Sequence, residues 1–126
     1  MAAIKPVIKD VSPNGDESCY QVQWTPVASG DTCNAVSFPK HSDRSIQVSG
    51  TFSGGTSIAI QGTNEPAATN FVSLRGPDSV VIAFTAAGMK AVLENALFHA
   101  PLSSSGDGSQ SVTITMLFHL SNPMRQ

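Results

Sequence analysis

Apolar and polar side chains alternate with a period of two along several stretches of this chain, the spacing of a strand with one face buried. Between Cys19 and Val27, Tyr20, Val22 and Trp24 point one way and Gln21, Gln23 and Thr25 the other, with Pro26 closing the run. From Ser45 to Phe52, the residues Ile46, Val48, Gly50 and Phe52 share a face. The turn Ser53-Gly54-Gly55 follows, and the chain returns with Ile58 and Ile60 on one side. The strongest pattern runs from Ser111 to Leu120, where Val112, Ile114, Met116 and Phe118 alternate with Ser111, Thr113, Thr115 and Leu117. Residues two apart lie on one side of a pleated strand. The expected inner faces of two packed sheets are therefore Ile46, Val48, Phe52, Ile58, Ile60, Phe84, Val112, Ile114, Met116 and Phe118.

Other segments are shorter or ambiguous. Ala35–Phe38 and Phe71–Leu74 read as short strands. The near-continuous apolar run Val80, Val81, Ile82 and Phe84 within Ser79–Thr85 predicts a strand buried on both faces. Met89, Val92, Leu93, Ala96 and Leu97 sit at helical spacing, with Gly88 against a helix, so Met89–Leu102 reads either as one short helix near 89–97 or as two strands around Glu94-Asn95. Ser103–Gln110 has no apolar residue and predicts a flexible loop. The count is eight to ten short strands separated by Gly and Pro turns, which predicts a single all-β domain over residues 1–126, a β-sandwich of jelly-roll or immunoglobulin-like type. The ends differ from the rest. Ile4, Val7 and Ile8 lie among two lysines and Pro6, and Pro123 and Met124 follow the last strong strand. Residues 1–11 and 121–126 are candidate interaction arms that order against a neighbour.

Composition sharpens this picture. The chain has 126 residues, enough to bury a core without metals or disulfides, and only 13% of them are charged, about half the usual share. The net charge is -2 and the seven Lys and Arg are scattered. That disfavours direct binding to nucleic acid, which rests on neutralising phosphates, and disfavours membrane surfaces for the same reason. The opening Met-Ala-Ala-Ile-Lys-Pro has no long apolar stretch behind a basic region, which points to a cytosol-like compartment and to Cys19 and Cys33 as reduced, structural thiols.

Candidate chemistry is sparse. His41, His99 and His119 show no compact metal-ligand spacing with each other or with the two cysteines, so no cofactor or metal is expected. His41 falls in a loop, and His99 and His119 end or interrupt strands, where a ring half-covers apolar surface. Ser105-Gly106-Asp107-Gly108-Ser109 lacks the strand–nucleophile–helix elbow, and Ser53-Gly54-Gly55-Thr56 lacks the lysine of a phosphate loop. Most carboxylates lie in turns, where Asp bonds its own backbone. Trp24, Tyr20, Phe52 and Phe71 could form a sugar-binding platform, but each sits on an alternating apolar face that fits core packing better. The expectation is a protein that is not an enzyme.

Gly50-Thr-Phe-Ser-Gly-Gly-Thr-Ser-Ile-Ala-Ile-Gln-Gly-Thr-Asn64, followed by Asn70-Phe-Val-Ser-Leu74, resembles a hairpin of small tailed-bacteriophage virion proteins. Phe84-Thr-Ala-Ala-Gly-Met89, Val92-Leu-Glu-Asn95 and Ser104-Ser-Gly-Asp-Gly108 before a Val-Thr-Ile-Thr strand resemble the remainder, over about Gly50–Leu120. Two places depart from the family pattern, Gly62-Thr-Asn-Glu-Pro66 and Ala96-Leu97-Phe98. The resemblance favours strands over a helix in Met89–Leu102. It implies a virion structural protein made in the host bacterial cytoplasm and carried on the capsid surface as a decoration (cement) protein. Its implied partners are its own copies, a homotrimer before a dimer, and the major capsid protein. A tail or baseplate component and a carbohydrate- or receptor-binding β-sandwich module are the alternatives.

Overall fold

The computed structural model describes residues 3–12, 15, 17–28, 30–52, 54–103 and 110–120. They form two packed β-sheets, a β-sandwich, with eleven strands and no helix among the described residues. One sheet has the order β2 (Val7–Asp10), β3 (Cys19–Val27), β11 (Ser111–His119), β5 (Asp43–Thr51), β9 (Gly88–Ala91), every pair antiparallel. The other has the order β1 (Ala3–Ile4), β4 (Thr32–Cys33), β10 (Phe98–Ser103), β6 (Ile58–Thr63), β7 (Val72–Ser73), and β8 (Ala83–Phe84) also pairs with β6. Only β1 and β4 run parallel.

The three central strands of the first sheet are nine residues each and follow the period-two rule directly. In β11, Val112, Ile114, Met116 and Phe118 are all buried against the other sheet. Its outer face carries a polar ladder instead: the Thr25 and Thr113 hydroxyls lie 2.7 Å apart, and Gln23 Nε2 donates to Thr115 Oγ1 at 3.2 Å. Pro26 does not end β3. Between Val112 and Ile114 the facing strand advances from Val27 to Trp24, one residue more than β11 does. This bulge, at a residue with no N–H to donate, brings both Trp24 and Val27 inward.

The core is the expected one with one exception: Phe52 is only partly buried, packed against its margin, whereas Trp24, Val22 and Ile82 lie at its centre. Of the two readings of Met89–Leu102 the strands hold: no helix lies near 89–97, and β9 and β10 stand on either side of Leu93–Asn95, whose backbone is claimed by tertiary hydrogen bonds. Two other expectations need correction. Ser79–Thr85 is not buried on both faces: Val80 is 58% exposed, and pairing is limited to β8 and a single bridge between Arg75 and Val81. Ala35–Phe38 is not a strand, since Val36 makes one bridge to His99 and the pairing is done by β4 upstream.

Among the described residues the chain passes from one sheet to the other on both flanks. The N-terminal segment leaves the six-stranded sheet after Ile4, turns at Lys5-Pro6 and joins the five-stranded sheet at Val7. On the opposite flank it passes from β8 to β9 through Thr85–Ala87. The outermost strands of the five-stranded sheet, β2 and β9, are four residues long and exposed at every position.

Candidate functional site

The polar chemistry inside this fold collects at the two ends of the sandwich, at one of them around Arg44. Its position on β5 places it on the same face as Ile46 and Val48, so the guanidinium is buried. Nη1 donates to the carbonyl of His41 and to Asn95 Oδ1, and Nη2 donates to the carbonyl of Leu93, each at 3.0 Å. Asn95 Nδ2 donates in turn to the Pro39 carbonyl at 3.1 Å. Burial pulls the Arg44 pKa down from its ordinary value, and neighbouring Asp43 opposes that shift. The arginine thus ties the 93–95 turn to the 39–41 turn. Glu94 Oε1 accepts the Arg75 N–H at 2.6 Å and pins a third loop.

Two histidines flank this hub. His99 is fully buried; its Nε2 donates to the Glu94 carbonyl at 3.2 Å, and its ring meets Phe118 edge-on at 5.8 Å. Burial, with a smaller contribution from Arg44, pushes its pKa down to about 4, so the ring is neutral at pH 7. His41 is also buried, its Nε2 donating to the Glu17 carbonyl at 3.0 Å. It stands within a ring cluster with Tyr20 and Phe38, with centroids 5.4 and 5.6 Å away. His41 Nδ1, His99 Nδ1 and Arg44 Nε have no hydrogen-bond partner. His119, at the end of β11, is exposed. The expectation of a half-covering ring therefore understated the burial of His99, and the loop reading of His41 did not foresee its burial. Nothing in the local sequence marks His41 as buried, because it takes partners from β3, the Glu17 turn and Phe38 at once.

A second polar network closes the other end. Buried Gln110 donates through Nε2 to Ser103 Oγ at 2.8 Å and to the Val27 carbonyl at 3.3 Å, and accepts from Thr56 Oγ1 at 3.1 Å. These groups bond one another and the backbone. Cys19 and Cys33 are free thiols. Burial raises both pKa values, that of Cys33 to about 12, which holds the sulfur protonated and unreactive at neutral pH. Among the described residues no three His, Cys, Asp or Glu side chains come together as a metal site. Trp24 is fully buried, its Nε1 donating to the Asn34 carbonyl at 2.9 Å, and Tyr20 is half-buried against Phe38.

The remaining feature is the surface. Large apolar side chains are exposed mainly on the two flanks: Val7, Ile8 and Val11 on the β2 side, and Met89, Leu93, Val72 and Val80 on the other. Beside β9 a cleft of about 320 Å³ is lined by Gly76, Pro77, Val80, Ile82 and Ala91, with Asp78 and Lys90 as its charged groups. Leu93 is presented rigidly, since its carbonyl is held by Arg44 while its side chain is 59% exposed. Of the candidate arm residues, Ile4 packs against the core from β1, and Val7 and Ile8 project from the edge strand β2. Pro123 and Met124 lie outside the described residues. No family model and no curated protein sequence matches the chain.

Proposed function

We propose that this chain is a bacteriophage virion structural protein, a capsid decoration protein that stabilises the head shell by surface contact and performs no catalysis. The observation that supports this most is the distribution of its exposed apolar residues. They lie along the two flanks of a small sandwich, Val7, Ile8, Val72 and Met89 on edge strands and Val11, Val80 and Leu93 in the loops beside them, and an edge strand's backbone groups suit pairing with a neighbour. The buried polar groups, by contrast, serve the fold: Arg44 and Gln110 bond neighbouring strands and turns. Low surface charge favours dense packing of like copies, because it reduces their mutual repulsion. The likeness of the segment Gly50–Leu120 to small virion proteins supplies the setting.

A carbohydrate-binding module is the weaker reading, because Trp24, the largest ring of the supposed platform, is inside the core. The test is proteomic. Purified particles of the phage that encodes this chain are separated into heads and tails. The chain is expected in the head fraction, in a fixed ratio to the major capsid protein. Recovery from tails alone moves the role to the tail or baseplate, and recovery from neither contradicts a virion role.

A further inference from the structure

The hydrogen-bond phase of the two edge strands decides how copies of this chain can join. Val11 N–H donates to the Cys19 carbonyl at 3.0 Å, in the same register that pairs Val7 with Gln23. Hydrogen-bonded positions in an antiparallel ladder recur every second residue. Val7 and Lys9 therefore bond toward β3, and the backbone groups of Ile8 and Asp10 point away from it. On the other flank Val92 N–H donates to the Arg44 carbonyl at 3.0 Å, in register with the pairing of Lys90 with Ile46. Gly88 and Lys90 bond toward β5, and Met89 and Ala91 point outward.

Side-chain direction adds a second constraint. Ile8 and Asp10 lie opposite Val22 and Tyr20, on the face of the sheet that carries the core. Gly88 and Lys90 share that face, opposite Val48 and Ile46, whereas Met89 and Ala91 are on the outer face. If β2 met β9 of another copy in antiparallel fashion, outward-pointing residues would oppose each other, setting core-face side chains beside outer-face ones. The next sandwich would be turned inside out. In parallel pairing an outward-pointing residue sits between two outward-pointing residues, opposite an inward-pointing one. Asp10 then fits between Met89 and Ala91, opposite Lys90, with the faces matched.

We propose that copies of this chain associate head to tail by parallel pairing of β2 of one copy with β9 of the next, Asp10 beside Lys90 and Ile8 beside Gly88. The Asp10 carboxylate, which within its own chain accepts from the Ser12 N–H at 3.0 Å and from the Ser12 hydroxyl, faces an opposite charge in this register and not in its neighbours. Ile8, 49% exposed, meets a residue without a side chain, where a Cβ would stand 3.4 Å from the Phe84 ring. A two-fold β2–β2 contact is poorer in every register: it sets Lys9 on Lys9 or Asp10 on Asp10, or brings Pro6, which has no N–H, to a bonding position. Parallel pairing preserves strand direction, so the contact is head to tail; it closes into a ring where the rotation between successive copies divides a full turn and runs on as a filament otherwise. This contact deepens the proposed function, for which the resemblance implies three subunits. It is tested apart from the virion assignment, since it is read on purified protein.

The experiment is a charge swap with a cross-link readout on the full chain. Asp10→Lys and Lys90→Asp each place like charges at the contact and are expected to weaken association at least tenfold by light scattering. Combining both in one chain restores it. Both residues are exposed, and circular dichroism checks that each variant is folded. Carbodiimide treatment of the wild-type oligomer is expected to yield an Asp10–Lys90 linked peptide. Four strand spacings, roughly 19 Å, separate these residues within one sheet, so such a link forms only between copies. A wild-type monomer at 100 micromolar overturns the proposal. So does a dimer that Asp10→Lys leaves intact, which is the signature of β9 pairing with its own copy.

Discussion

Arg44 shows how one side chain can organise a whole end of the molecule. Three hydrogen bonds from its guanidinium replace a salt bridge with carbonyl and amide acceptors, and they hold two turns that have no regular structure of their own. Arg44→Met is expected to cost about 2–4 kcal/mol in denaturant melts, because buried acceptors lose their donors. Arg44→Lys should recover less than half of that, since an ammonium cannot reproduce the planar fork. His99 makes a pH-dependent contribution. Its folded pKa of about 4 lies below the ordinary value of 6.5, so the unfolded chain binds more protons between those limits. The stability it contributes is complete above pH 6.5 and is lost as the pH falls toward 4, by up to about 3 kcal/mol. Urea melts of wild type and His99→Gln from pH 7.5 to 4.5 isolate this: the difference between them should shrink on acidification. A constant difference would place the titration elsewhere.

At the scale of elements, β11 is the reference strand. Ile114→Ala should cost roughly 2–5 kcal/mol, as buried truncations do, and Thr113→Ala on the outer face about 0.5 kcal/mol. Equal losses would mean that the register is wrong. Gly50 tests the edge of the same ladder. Its φ is +112°, and a Cβ there would sit 2.6 Å from the Ser111 carbonyl oxygen. Gly50→Ala is expected to destabilise the domain by about 1–3 kcal/mol in the same melts. The long strands were legible because alternation reports a half-buried face directly, and β3, β5, β6 and β11 all obey it. Legibility fell where partners lie far off in sequence. Val80 belongs to an apolar run yet faces solvent, because only Ala83–Phe84 of that segment finds a strand to join. Met89–Leu97 has helical spacing, but Val92 and Leu93 give their backbone groups to Arg44 instead of to one another. The Arg44 hub was not legible: an arginine at a core position of an alternating strand reads as a boundary until Leu93 and Asn95, about fifty residues away, supply its acceptors.

For the whole molecule, the sandwich holds polar networks at both ends, and its edge strands β2 and β9 are exposed along their whole length. In the proposed role the protein acts by fitting its neighbours, and that role is a matter of place and number. The most direct test of that claim is the copy number on purified heads, measured by quantitative mass spectrometry against the major capsid protein. The account predicts a fixed ratio set by the shell lattice, three copies at each three-fold or quasi-three-fold position. Absence from heads, or a ratio that varies from one preparation to the next, would contradict it.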